Sequence, residues 1–226
     1  HAIQFGEKFG SSNIGGAKRI NIEYVSANPT GPLHVGHTRG AVFGDSLANL
    51  LQFIGFEVTR EYYINDAGSQ IDSLARSVYL RYLELYGNKI DLSGDFYPGE
   101  YLINIAKKLQ ISFGDKLLKV PEEEWIVEVK EFACQAMLEQ IRSDLDLLGV
   151  KMDNYYSEKS LYKTGKIEAA IEALEAKNLI YEGVLAPPKG KVIEDYEGRK
   201  QTLFKSTLFG DDVDRPIRKS DGSWTY

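Results

Sequence analysis

Arg19-Ile-Asn-Ile-Glu-Tyr-Val-Ser-Ala-Asn-Pro-Thr-Gly-Pro-Leu-His-Val-Gly-His37 decides how this chain is read. Its first seven residues alternate apolar and polar, as a half-buried strand does. Ser26 to Pro32 then gathers turn-building residues, two prolines and a glycine among them. A helix is predicted next, because Phe43, Leu47, Leu50, Leu51 and Ile54 recur at helical spacing and Gly55 stands where a helix-ending glycine belongs. Residues 57–64 read as a second strand. Residues 20–64 therefore form a strand-helix-strand unit, with His34 and His37 where the first strand hands over to the helix. Ligands of open α/β sheets collect at such strand ends.

Two histidines three apart share one side of a helix's first turn. Unpaired backbone N–H groups and the helix dipole favour an anion there, and imidazoles add hydrogen bonds to phosphoryl oxygens. The pattern reads as a nucleotide-phosphate site, with Gly36 leaving bare backbone for an adenosine to lie against. The bland alternative is two solvated histidines at a helix start.

Composition bounds the rest. With 226 residues, 43% of them hydrophobic, the chain can bury a substantial core in one large domain or two small ones. One cysteine, Cys134, allows no internal disulfide, and no Cys/His cluster has zinc spacing, so an oxidising compartment and a structural metal are both unsupported. Apolar runs fall far short of a membrane span and the N-terminus lacks a signal segment, which leaves the cytoplasm as the expected location and no membrane partner. A net charge of -6 and a pI near 5.2 argue against a nucleic-acid binder of the basic-patch kind.

Residues 1–17, rich in Gly, Ser and Asn, read as a linker. Helices are predicted over 71–86, 100–112 and 122–148, the last with Phe132, Cys134, Met137, Ile141, Leu145 and Leu148 on its apolar face. Residues 149–156 read as a strand, and 164–177 as a helix with Ile167, Ala170, Ile171 and Leu174 inward. After Leu179, short extended runs split by Pro187-Pro188, Gly190, Gly198 and Gly210 predict hairpins.

Glu23 to His37 closely resembles the signature of bacterial-type class I arginyl-tRNA synthetases. Arg60-Glu-Tyr-Tyr-Ile-Asn-Asp-Ala-Gly-Ser-Gln70, Tyr97-Pro-Gly-Glu-Tyr101, Tyr156-Ser-Glu-Lys-Ser-Leu-Tyr162 and Asp211 to Tyr226 resemble later blocks of that family. A lone His-x-Gly-His is shared with other nucleotidyltransferases, but five blocks in order single out this subfamily. The resemblance implies an α/β fold: the first half of a Rossmann-like class I catalytic domain at 18–66, a mostly helical insertion at 67–149, and a continuation with hairpins at 150–226. It also implies that a tRNA-elbow domain, a Lys-Met-Ser-Lys type loop and an anticodon-binding domain lie outside this sequence. The chain is therefore expected to be a partial catalytic domain, weak or inactive alone, with a strand edge and apolar surface uncovered.

The implied reaction is two-step: ATP, with Mg2+, activates L-arginine to arginyl-adenylate, and the 2'-hydroxyl of tRNA(Arg) takes the arginyl group. The implied full-length enzyme is a monomer. No protein nucleophile is needed, so catalysis rests on positioning and charge stabilisation. The resemblance assigns that role to His34 and His37, ATP contacts to Pro32, Leu33, His34, Gly36 and His37, and no residue to a metal. A guanidinium pairs best with a carboxylate. Glu23 and Asn28 match arginine-pocket positions, which of them meets the guanidinium being open, and Ser26 adds a contact. Asp66 and Gln70 would share a helix face in the same pocket, although an Asp there reads equally well as an N-cap. Tyr226 matches a pocket tyrosine. Gly31 stands where some members carry a lysine that substitutes for one in the downstream loop, so glycine implies reliance on that loop. Lys189, Lys191, Arg199, Lys200 and Lys205 fall where the family contacts the tRNA acceptor end; Glu182, Glu194, Asp195 and Glu197 offset them, which favours a solvated face. Two rival readings use the same histidine turn: a small-metabolite nucleotidyltransferase, and a module that binds ATP or tRNA without turnover.

Overall fold

The computed structural model describes residues 1–185, 200–218, 222, 224 and 225. The chain divides into two compact units, 1–160 and 161–226.

The first unit carries α1 (Ala2–Phe5), a 3-10 turn (Gly6–Lys8), β1 (Arg19–Glu23), α2 (Val35–Phe53), β2 (Glu57–Ile64), α3 (Gln70–Leu85), α4 (Tyr101–Phe113), α5 (Glu122–Leu147) and β3 (Asn154–Ser157). Its strands form a parallel sheet in the order β1-β2-β3, with Glu23 beside Glu61 and Glu61 beside Asn154. The strand-helix-strand unit expected from residues 20–64 is present. The face that α2 buries is not the apolar stripe: Ala41, Gly44 and Ala48 are buried, whereas Phe43 is 72% and Leu50 58% exposed. Close approach explains the choice. A Cβ on Gly44 would lie 2.3 Å from the Tyr24 ring, so only small residues fit between helix and sheet. Arg60 fastens this layer, donating to Asn49 (2.7 Å) and Gln52 (2.8 Å) of α2 while its backbone N–H donates to Asp153 (2.8 Å).

α3, α4 and α5 enclose a core of Leu74, Val78, Tyr82, Leu109, Trp125 and Met137, in which Tyr79 stacks on Trp125 at 3.8 Å. Each such side chain contributes roughly 1.5–3 kcal/mol by leaving water. A second cluster, with Tyr24, Tyr62, Ile71, Cys134, Ile141 and Leu145, seats α5 on the sheet. The helices match their expected spans to within a residue or two. The strand expected over 149–156 is shorter, because its first residues close α5: Gly149 turns left-handed (φ +76°), and the N–H groups of Gly149 and Val150 donate to Asp146 and Leu145 carbonyls. Within the expected linker, Gly15 and Ala17 N–H groups donate to Ile54 and Gly55 carbonyls at 2.8 Å, docking this stretch on the end of α2.

α6 (Lys159–Tyr162) spans the boundary in sequence. The second unit holds α7 (Lys166–Ala176), β4 (Ile180–Gly183), β5 (Gln201–Phe204), a 3-10 turn (Ser206–Phe209) and β6 (Arg215–Arg218). The expected hairpins appear as an antiparallel sheet in the order β4-β5-β6. In α7 the expected inward residues Ile167, Ile171 and Leu174 are half-buried and Ala170 is exposed.

Candidate functional site

β1 ends at Glu23, and the chain then bends through two left-handed residues in succession, Val25 (φ +67°) and Ser26 (φ +41°). Neither is glycine and Val25 is β-branched, so the bend costs of order 1–3 kcal/mol per residue. Neighbours hold it. The buried Tyr62 hydroxyl donates to the Ala27 carbonyl (2.7 Å), and the Tyr63 N–H donates to Ser26 Oγ (3.0 Å). Ser26 Oγ in turn donates to the Glu23 carboxylate, so the serine orients that exposed carboxylate at the strand end. Beside it, on the same sheet face, Glu61 accepts from Asn21 (3.3 Å) and Asn154 (2.6 Å). Glu61 was not singled out in the sequence; alternation along β2 places it on the Glu23 face, but only the register puts it alongside.

Asn28 and Gln70 converge on one residue between them. Asn65 donates from Nδ2 to Asn28 Oδ1 (3.1 Å), and its backbone carbonyl accepts from Gln70 Nε2 (3.4 Å). Asp66 behaves differently. Its oxygens accept from Ser157 Oγ (2.6 Å) and Lys159 N–H (2.8 Å), which ties the end of β2 to the end of β3. Nor does it cap α3, whose N-cap is Ser69.

His34 is the N-cap of α2, and the two histidines close a capping box on each other's backbone. His34 Nδ1 accepts from the Gly36 N–H (3.1 Å), and His37 Nδ1 accepts from the His34 N–H (3.3 Å). The rings stack with centroids 3.7 Å apart. Because Nδ1 of each ring is an acceptor, a neutral imidazole here carries its proton on Nε2. Partial burial, with the neighbouring His34 second, lowers the His37 pKa below the ordinary 6.5 and favours that neutral form. Gly36 keeps the turn close: a Cβ there would sit 3.0–3.1 Å from the His34 ring, tighter than ordinary contact, so the ring would have to give by a few tenths of an ångström. The preceding turn is latched from the helical region, where the Tyr101 hydroxyl donates to the Thr30 carbonyl (2.6 Å) and lies beside Gly31. Leu33 packs on the second apolar cluster, and Pro32 is exposed.

In the second unit, Lys205 donates to the Asn178 carbonyl (2.8 Å), and Arg215 forks onto Asp211 (2.6 and 2.8 Å), which holds that carboxyl down to about 2. Lys200 is exposed. Lys189, Lys191, Arg199, Glu194, Asp195, Glu197 and Tyr226 lie outside the described residues. Among the described residues no group of three or more His, Cys, Asp or Glu side chains is placed to hold a metal ion.

The family model for the catalytic domain of class I tRNA synthetases (R) matches residues 5–226. Arginine–tRNA ligases from Ruegeria sp. (strain TM1040) and Jannaschia sp. (strain CCS1) are 63% and 62% identical over the whole chain, which spans 39% of their length. A solved structure from Campylobacter jejuni, described as an arginyl tRNA synthetase, covers the whole chain with a TM-score of 0.82 at 35% identity, the match taking in 46% of that protein. The arginyl-tRNA synthetase of Thermus thermophilus shares the fold, with a TM-score of 0.57 at 22% identity over 92% of this chain and 34% of its own.

Proposed function

The chain belongs to the class I tRNA synthetase catalytic-domain family of the arginine type, and from that premise we propose that it supplies the amino-acid and nucleotide site of an arginine–tRNA ligase. An arginine carboxylate oxygen attacks the α-phosphorus of ATP, pyrophosphate leaves, and the 2'-hydroxyl of tRNA(Arg) then attacks the adenylate carbonyl, losing its proton as AMP departs. Glu23 takes the guanidinium, because a donor-only fork needs an acceptor-only partner and Ser26 already orients the carboxylate. Asn28 and Gln70 bind the amino-acid end, and Pro32, Leu33 and Gly36 border the nucleotide. Asp66, which accepts from Ser157 Oγ at the end of β3, borders the same arginine pocket. His34 and His37 donate from Nε2 to the phosphoryl oxygens as charge builds at phosphorus.

The observation that carries this reading is the mutual capping box, which engages Nδ1 of both rings and so leaves Nε2 of each as the donor at a helix N-terminus. Mg2+ bound with ATP would neutralise phosphate charge; among the described residues no group of three or more His, Cys, Asp or Glu side chains is placed to hold it. The protein acts as a monomer in the cytoplasm, and no helix among the described residues is long and apolar enough to cross a membrane. The test is ATP–pyrophosphate exchange, on this chain and on the full-length protein, with each amino acid in turn and with or without tRNA. Exchange by the full-length protein with arginine alone, dependent on tRNA, supports the ligase. Exchange with none, despite ATP binding, sinks it in favour of a metabolite nucleotidyltransferase or a non-catalytic binding module.

A further inference from the structure

We propose that Asn65 is a positioning residue for the amino-acid substrate, holding the Asn28 amide with its nitrogen turned toward the substrate's α-carboxylate. The inference rests on the arginine-activating reading of the site and concerns a residue which that reading does not use. Asn65 follows β2 directly and is only 5% exposed. Its Nδ2 donates to Asn28 Oδ1 across 37 residues of chain, while its own Oδ1 is buried with no partner. Buried side-chain acceptors are normally met, and an apolar residue of similar shape would avoid leaving one unmet. An amide kept there at such a cost points to what its other end does.

That other end sets a direction. Asn28 is exposed at the strand-end turn, and a donor facing it from Asn65 obliges it to present oxygen inward. Its Nδ2 then faces outward. An amide NH2 donates to a carboxylate but offers nothing to a guanidinium or an ammonium, which are themselves donors only. Arginine is thereby divided between two positions: Glu23 reads the side chain, and Asn28, set by Asn65, holds the carboxylate that attacks phosphorus. Gln70 is tied to the same residue, its Nε2 donating to the Asn65 backbone carbonyl.

The experiment uses the full-length protein with Asn65→Ala, Asn65→Asp, Asn28→Ala and the Asn28→Ala/Asn65→Ala pair, read as arginine KM, ATP KM and kcat for exchange. Agmatine, arginine without its carboxylate, serves as a competitive inhibitor. Asn65→Ala should raise the arginine KM on the order of tenfold, with the ATP KM and the agmatine Ki within about twofold of wild type. Asn65→Asp keeps the shape and faces oxygen with oxygen, so its arginine KM should rise further. The double variant should be no worse than Asn28→Ala, because Asn65 acts through Asn28. Additive losses, or agmatine weakening in step with arginine, would overturn the role of Asn65 while the ligase stands. A wild-type protein without arginine-dependent exchange would overturn the activity and this inference with it. Thermal melts of both Asn65 variants exclude misfolding as the cause, and the near-isosteric aspartate keeps the test decisive if alanine unfolds.

Discussion

Around Trp125, three helices bury nearly every large side chain they bring together and stack its indole on Tyr79; at the end of β1, Val25 and Ser26 sit in left-handed backbone and Asn65 buries an unmet acceptor. One region gathers apolar area, and the other holds strain and unsatisfied polarity within a few residues of Glu23, Asn28 and His34. Stability and chemistry are thus assigned to separate parts of the first unit. Strained, half-satisfied groups persist only where surrounding packing over-determines them, and here that packing comes from Tyr62, Tyr101 and the α5 cluster.

The largest effect is expected at Trp125. Trp125→Ala should destabilise the first unit by about 3–5 kcal/mol in urea melts, as large core truncations do; a loss under ~1 kcal/mol would mean that the helical core is not where stability resides. At the strand end the order is reversed. His37→Ala in the full-length protein should slow exchange by roughly 10²–10³, with little change in arginine KM or melting temperature. His37→Asn sharpens the point, because its Oδ1 can still cap the His34 N–H while the Nε2 donor is gone; it should be as slow as alanine. The depressed His37 pKa fixes the sign of the pH effect. The folded state favours neutral His37, so this group's small contribution to stability is present above about 6.5, the ordinary value, and is lost as pH falls through the lower folded value. Exchange should fall over that same acidic range, and a rate that rises on acidification would show that imidazolium is the working form.

Tyr101→Phe is a smaller perturbation, removing only the hydroxyl that reaches Thr30. About 0.5–1.5 kcal/mol should be lost, seen as a several-fold rise in ATP KM with arginine KM nearly constant. An equal effect on both substrates would mean that the latch supports the whole mouth rather than the nucleotide turn. Last and least, burial pushes the Cys134 thiol up to about 11, so iodoacetamide at pH 8 should leave it unmodified until the protein is unfolded. Rapid alkylation of folded protein would show the second apolar cluster to be open.

Much of this was legible along the chain because it is local. Histidines three apart at a helix start share one side of its first turn, and periodicity reported α2, α3, α4 and α5 since side chains one turn apart share a face. Periodicity reported that α2 is a helix but not which face it buries: Phe43 and Leu50 are exposed, while Ala41, Gly44 and Ala48 are buried, Gly44 directly against the Tyr24 ring. Asp66 fits a helix-start pattern, but it is held by Ser157 and Lys159, more than ninety positions away in sequence.

By itself, then, the sequence determined the α/β class, the main helices of the first unit and the family, all of which depend on spacings within a turn or two or on ordered blocks of residues. Tertiary structure alone decided that Asn65 meets Asn28, that Asn154 and Asn21 hold Glu61 beside Glu23, and that Tyr101 reaches Thr30 from another element. These contacts close over 37 to 93 residues. No local spacing encodes them, because they form only once strand register and helix packing bring distant donors and acceptors into reach.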